Sequence, residues 1–106
     1  MVILATATID GDETTGTAEL VQADDGMVTL ELHDLDLAPG APDARLYVSA
    51  SSVRGFDETA VELGQLPDGE PRLTWPLTDI DPGDLQSVVV YCKEYSVLFG
   101  WGAFSR

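Results

Sequence analysis

The chain has 106 residues, 19 acidic against five basic side chains, a formal net charge of −14 and a single cysteine. That length builds one domain with a core of its own, and one cysteine excludes an internal disulfide framework. The charge repels phosphate backbones and anionic bilayers, which sets nucleic-acid binding and membrane-surface binding aside. The acids are spread along the chain, so they read as a solvated skin. Asp outnumbers Glu and Lys93 is the only lysine, a composition like that of salt-adapted proteins. MVILATATID lacks the basic region of a secretory signal, and no apolar run reaches the roughly 18–20 residues that span a bilayer. Neither a signal peptide nor membrane insertion of this chain is expected.

Residues 2–9, VILATATI, are β-prone and open the chain, followed by an acidic turn, DGDET. TGTAELV alternates Ala18 and Leu20 against Thr17 and Glu19, the pattern of a half-buried strand. Asp25-Gly26 then signals a hairpin, because both residues tolerate the positive φ of a tight turn. In MVTLELHDLDL, Val28, Leu30 and Leu32 are expected inward, with Thr29, Glu31 and His33 outward in solvent. The phase then slips to Leu35 and Leu37, as one extra residue in a β-bulge would make it do. APGAPD (38–43) is a loop, and ARLYVSA alternates as a strand. SSVRGFDE is a second loop, AVELG a short strand and QLPDGEP a third loop. LTWPL is a brief strand that Pro76 marks as an edge or a strand end. TDIDPGDL reads as a turn or a single helical turn.

The stretch 86–104, QSVVVYCKEYSVLFGWGAF, is the expected centre of the fold. Three consecutive valines make both faces apolar, as in a strand covered on both sides. Val88, Val90 and Cys92 point one way, Val89, Tyr91 and Lys93 the other. Glu94-Tyr95-Ser96 is the expected bend. Beyond it, Val97, Phe99, Trp101 and Ala103 are expected on one face, with Leu98, Phe104, Gly100 and Gly102 on the opposite one. The glycines admit a neighbouring backbone or ring. Short strands with turns every 8–12 residues predict an all-β, single-domain antiparallel β-sandwich over 1–106, its core holding Leu30, Leu32, Leu46, Val48, Trp75, Val88, Val90 and Phe99.

Few constellations carry chemistry. Cys92 is read either as a reactive thiol or as a small buried hydrophobe, the usual state of a free cysteine. A copper site needs two histidines, a cysteine and an axial ligand, and this chain has His33 alone; a nitrogen-and-sulfur zinc site fails on the same count. Ser49, Ser51 and Ser52 lack a G-x-S-x-G elbow, and neither DGDET nor DIDPGD has EF-hand spacing. No catalytic constellation emerges and the residues imply no cofactor.

Taken together, TGTAEL, APDARLYVS, VELGQLPDG, LTWPL, DIDPGDLQSVVVYCKEYSVLFG and WGAF, in that order over residues 15–104, resemble the electron-transfer DM-thirteen domain family. Ala41 stands where the family usually has Gly, and Tyr91 where Trp usually precedes the cysteine. Trp101 extends past the usual Phe-Gly end. The resemblance implies a compact β-sandwich, an extracytoplasmic or cell-surface setting, and a redox role for Cys92 with a partner protein or a fused surface domain. Tyr91, Tyr95 and Trp101 are the expected relay or lining residues, and the thiol is expected to be partly buried. One thiol without a partner cysteine must act through a sulfenate, a mixed disulfide or an external cofactor. The other reading is a redox-inert binding module in which Cys92 is core and the loops 38–43, 51–57 and 64–71 contact a ligand or protein.

Overall fold

A computed structural model describes residues 1–11, 14–37, 43–67 and 71–106. Its strands are β1 (Val2–Ile9), β2 (Thr14–Gln22), β3 (Val28–Leu37), β4 (Ala44–Ser49), β5 (Val61–Gln65), β6 (Leu73–Leu77), β7 (Ser87–Cys92) and β8 (Val97–Ala103). The only helical piece among the described residues is a 3-10 turn, Pro82–Asp84. It is capped by Asp81, whose carboxylate accepts the Gly83 N–H at 2.9 Å.

The strands form two antiparallel four-stranded sheets, ordered β1-β2-β3-β6 and β5-β4-β7-β8. This is the expected sandwich, with β7 interior to its sheet. The sheets also meet along one seam, where backbone bridges join β1 to β8 and the tail: Thr6 to Ser105, and Asp10 to Trp101. At the opposite rim lie β5 and β6, the terminal strands of the two sheets, and the Trp75 indole lies against Gly64.

Alternation selects the core. Ala18, Leu20, Leu30, Leu32, Leu46, Val48, Val88, Val90, Cys92 and Phe99 meet between the sheets, with Trp75 packed against them at the rim. Each large side chain so buried stabilises by roughly 1.5–3 kcal/mol. The Asp25-Gly26 hairpin forms as expected, Gly26 taking φ 89°, and Pro76 lies on the edge strand β6. The slip in β3 is a bulge: Thr17 pairs with His33 but Thr15 pairs with Asp36, and Asp34 takes φ 54°. That extra residue returns Leu35 to the core.

Two expectations need correction. Phe99 and Trp101 do not share a face, because β8 carries its own bulge between the pairs Val90–Gly100 and Tyr91–Leu98. Phe99 turns into the core, while Trp101 stands beside Val89 on the outer face. The same bulge separates Leu98, paired with outward Tyr91, from Gly100 and Gly102, paired with inward Val90 and Val88. His33, expected in solvent, is only 20% exposed at its side chain. Its Nε2 lies 2.9 Å from Glu19 and 3.4 Å from Glu31, without hydrogen-bond geometry.

Candidate functional site

Cys92 is the last residue of β7, paired with Ala44 of β4 on one side and Val97 of β8 on the other. Its position in the inward phase puts the sulfur in the core, and no part of the residue reaches solvent. This corrects the expectation of a partly buried thiol. The turn of residues 93–96 closes over it, with Ser96 at φ 55°. The Tyr95 N–H donates to Cys92 Sγ at 3.4 Å. The turn is tied down further by Lys93 N–H, which donates to the Asp43 carbonyl at 3.4 Å.

The residues expected to line or relay divide between two faces. Tyr95 reaches the sulfur through its backbone, while the residue as a whole is 63% exposed. Tyr91 and Trp101 stand on the outer face of the same sheet, separated from Cys92 by the sheet itself. Of the proposed contact loops, 51–57 is described in full; 38–42 and 68–70, with Ala41, lie outside the described residues.

That outer face holds what sequence reasoning missed. Tyr47 alternates with Arg45 away from the core of β4, yet it is only 6% exposed. The loop after β4 folds back over the sheet and carries Phe56 onto it. The Phe56 ring stacks on Tyr91 with centroids 3.9 Å apart, and Tyr47 meets Phe56 edge-on at 4.9 Å and Tyr91 at 6.1 Å. Polar groups fix the loop: Asp57 accepts from the Thr59 hydroxyl at 2.6 Å and the Thr59 N–H at 2.9 Å. Ser49 Oγ lies 2.9 Å from Thr59 Oγ1, and Ser87 Oγ donates to the Ser51 carbonyl at 2.7 Å. The hydrogen bonds from Thr59 hold the Asp57 carboxyl below its ordinary range. Arg54 adds a clasp, donating to the Asp10 carbonyl at 2.8 Å with its guanidinium 6.0 Å from the Trp101 ring centre. No local pattern in the sequence signals this contact, because Phe56 reaches Tyr91 and Tyr47 from the loop that follows β4.

An ion cluster borders this face at the Cys92 end. Arg45 Nε donates to Asp43 at 2.9 Å and Nη1 to Glu62 Oε2 at 3.0 Å, with Lys93 Nζ 3.8 Å from Glu62 Oε1. The hydrogen bonds to Asp43, then Glu62, raise Arg45 above its ordinary value. Among the described residues no group of three or more His, Cys, Asp and Glu side chains is placed to hold a metal ion.

The family model described as Electron transfer DM13 matches residues 8–104, nearly the whole chain and from the end of β1 to the close of β8. The chain belongs to the Electron transfer DM13 family. The family's description names electron transfer, a role that implies a redox partner in general. No curated protein and no solved structure matches it. Among the described residues no helix is long and apolar enough to cross a membrane.

Proposed function

We propose that this DM13 domain exchanges electrons with a partner protein or a fused surface domain in an extracytoplasmic setting, with Cys92 as its redox group. The observation that carries the proposal is the position of Cys92 in an electron-transfer family fold: the chain's one thiol ends a core strand beneath a four-residue turn, held there by the Tyr95 N–H. With a single thiol, the balanced step is exchange with a disulfide of the partner. The Cys92 sulfur forms a bond to one partner sulfur, the partner's S–S bond breaks, and the other sulfur leaves as a thiol. The Cys92 sulfur is thereby oxidised and the departing partner sulfur reduced. A thiol of a second partner then attacks the partner sulfur of the mixed disulfide, Cys92 leaves as a thiol, and the second partner's sulfur carries the oxidation away. Because the thiol is buried, the 93–96 turn must lift first, which makes this turn the gate. Local opening of a short turn costs far less than unfolding the sheet.

The complete burial of Cys92 favours a second reading, in which it is only core and the domain is a redox-inert binding module. Native-state thiol labelling with a disulfide reagent separates the two. The redox reading expects labelling at a rate that hardly responds to low urea, since only the turn opens. It also expects Cys92→Ser and Cys92→Ala to abolish exchange with a flavin or haem donor. Labelling that needs global unfolding, with exchange intact in both variants, would leave Cys92 as core.

A further inference from the structure

The outer face of the β7 sheet holds a phenol in an unusual position. Tyr47 is nearly buried, yet its hydroxyl donates not to backbone but to Glu62 Oε1, at 3.3 Å across the β4–β5 ladder. The other carboxylate oxygen, Oε2, is occupied by Arg45 at 3.0 Å, which holds Glu62 in place while its Oε1 is turned to the phenol. Burial, then the nearby Glu62 charge, raise the phenol above its ordinary value, so it is a neutral O–H at neutral pH. Removing an electron from a neutral phenol makes its proton strongly acidic, and a base already in contact lets both leave together. The aromatic rings complete the arrangement. Phe56 is 42% exposed, stacks on Tyr91 and touches Tyr47 edge-on, so a continuous π contact runs from solvent to the buried ring.

We propose that Tyr47, with Glu62 as its proton acceptor, is a one-electron redox residue of this domain, reached from the surface through Phe56 and Tyr91. The step balances: Tyr47 gives one electron to a high-valent metal centre of a partner, which is reduced by one unit. The hydroxyl proton passes to Glu62 Oε1, leaving a neutral phenoxyl radical beside a carboxylic acid. A later electron from a donor returns the proton to the phenol. The inference rests on the electron-transfer reading of the domain and not on Cys92. A buried tyrosine hydroxyl satisfied merely for packing would take any acceptor; a carboxylate held by Arg45 supplies a base as well.

The test is flash photo-oxidation of the full chain by tris(bipyridine)ruthenium, with the radical read by electron paramagnetic resonance in water and in heavy water. The wild type is expected to give a long-lived tyrosyl signal with a solvent isotope effect, and Tyr47→Phe, which keeps the ring packing, to lose it. Glu62→Gln keeps an acceptor oxygen but no base, and is expected to slow formation of that signal by on the order of a hundredfold, the low end of what a placed base supplies. The same measurement in Cys92→Ala separates the two readings: a persistent Tyr47 signal there supports this site even where thiol exchange has failed. A radical unchanged by Tyr47→Phe, or formed equally fast in Glu62→Gln, overturns the proposal.

Discussion

Asp57 shows how one side chain decides where a loop lies. Its carboxylate collects the hydroxyl and amide of Thr59, and through Ser49 that cluster reaches the end of β4. Phe56, next in sequence, is thereby set on Tyr91. Because the hydrogen bonds lower the folded-state value of Asp57 below its unfolded one, the stability they confer is fully present above the ordinary aspartate value. It is lost as pH falls through the lower, folded value. Acidification below about pH 4 is therefore expected to release the loop. Following the Thr59 amide by NMR along a pH titration checks this, and Asp57→Asn should flatten the response. An amide shift that ignores Asp57 would refute the assignment.

At the scale of elements, the seam between β1 and β8 depends on missing side chains. A β-carbon on Gly102 would collide with the Thr8 carbonyl oxygen, and one on Gly100 would sit 2.9 Å from Ile9 Cγ2 and 3.1 Å from the Thr14 carbonyl. Backbone cannot step aside as a flexible side chain can. Gly102→Ala is expected to cost about 1–3 kcal/mol, as overpacking does. Urea denaturation measures it, and a midpoint equal to wild type would contradict the close approach. The sequence showed much of this level. Period-two alternation in β2, β3, β4 and β7 located the inward faces, and the Leu32-to-Leu35 slip located the β3 bulge. The β8 bulge was hidden, because Phe99 and Trp101 are both apolar and either phase looked satisfactory. The outer aromatic face was hidden for another reason: Tyr47 is buried by a loop arriving from elsewhere, which no local periodicity records. For the candidate site, the cysteine and its strand were legible, but the depth of Cys92 depended on how the 93–96 turn folds over it.

Over the whole molecule, the −14 charge is unevenly opposed. Arg45 and Lys93 gather around Glu62, and Arg54 lies over Trp101. The outer face of the other sheet instead presents Glu19 and Glu31 beside His33. Repulsion among so many carboxylates weakens the fold most at low ionic strength, where the screening length approaches 30 Å, about the size of the domain. The melting temperature is expected to rise with sodium chloride from the millimolar to the molar range. Chloride is the salt to use, since sulfate strengthens apolar burial independently of screening. A melting temperature indifferent to chloride would mean that the acids are too well solvated to repel.

The bridge from Thr6 to Ser105 joins the first strand to the last residues of the chain. That pairing spans almost the whole sequence, and the sheet contacts around it are also mostly distant in sequence. Such a topology folds slowly, on the millisecond-to-second scale of β-sandwiches, because the loop must close before the contact rewards it. During synthesis the consequence is sharper. β1 emerges first, with Ala5, Ala7 and Ile9 needing cover from strands not yet made, and its outer edge stays unpaired until translation has passed Ser105. A chain stalled earlier carries an open β edge of the kind that pairs with a neighbour, a pairing that mutual repulsion between densely acidic chains opposes.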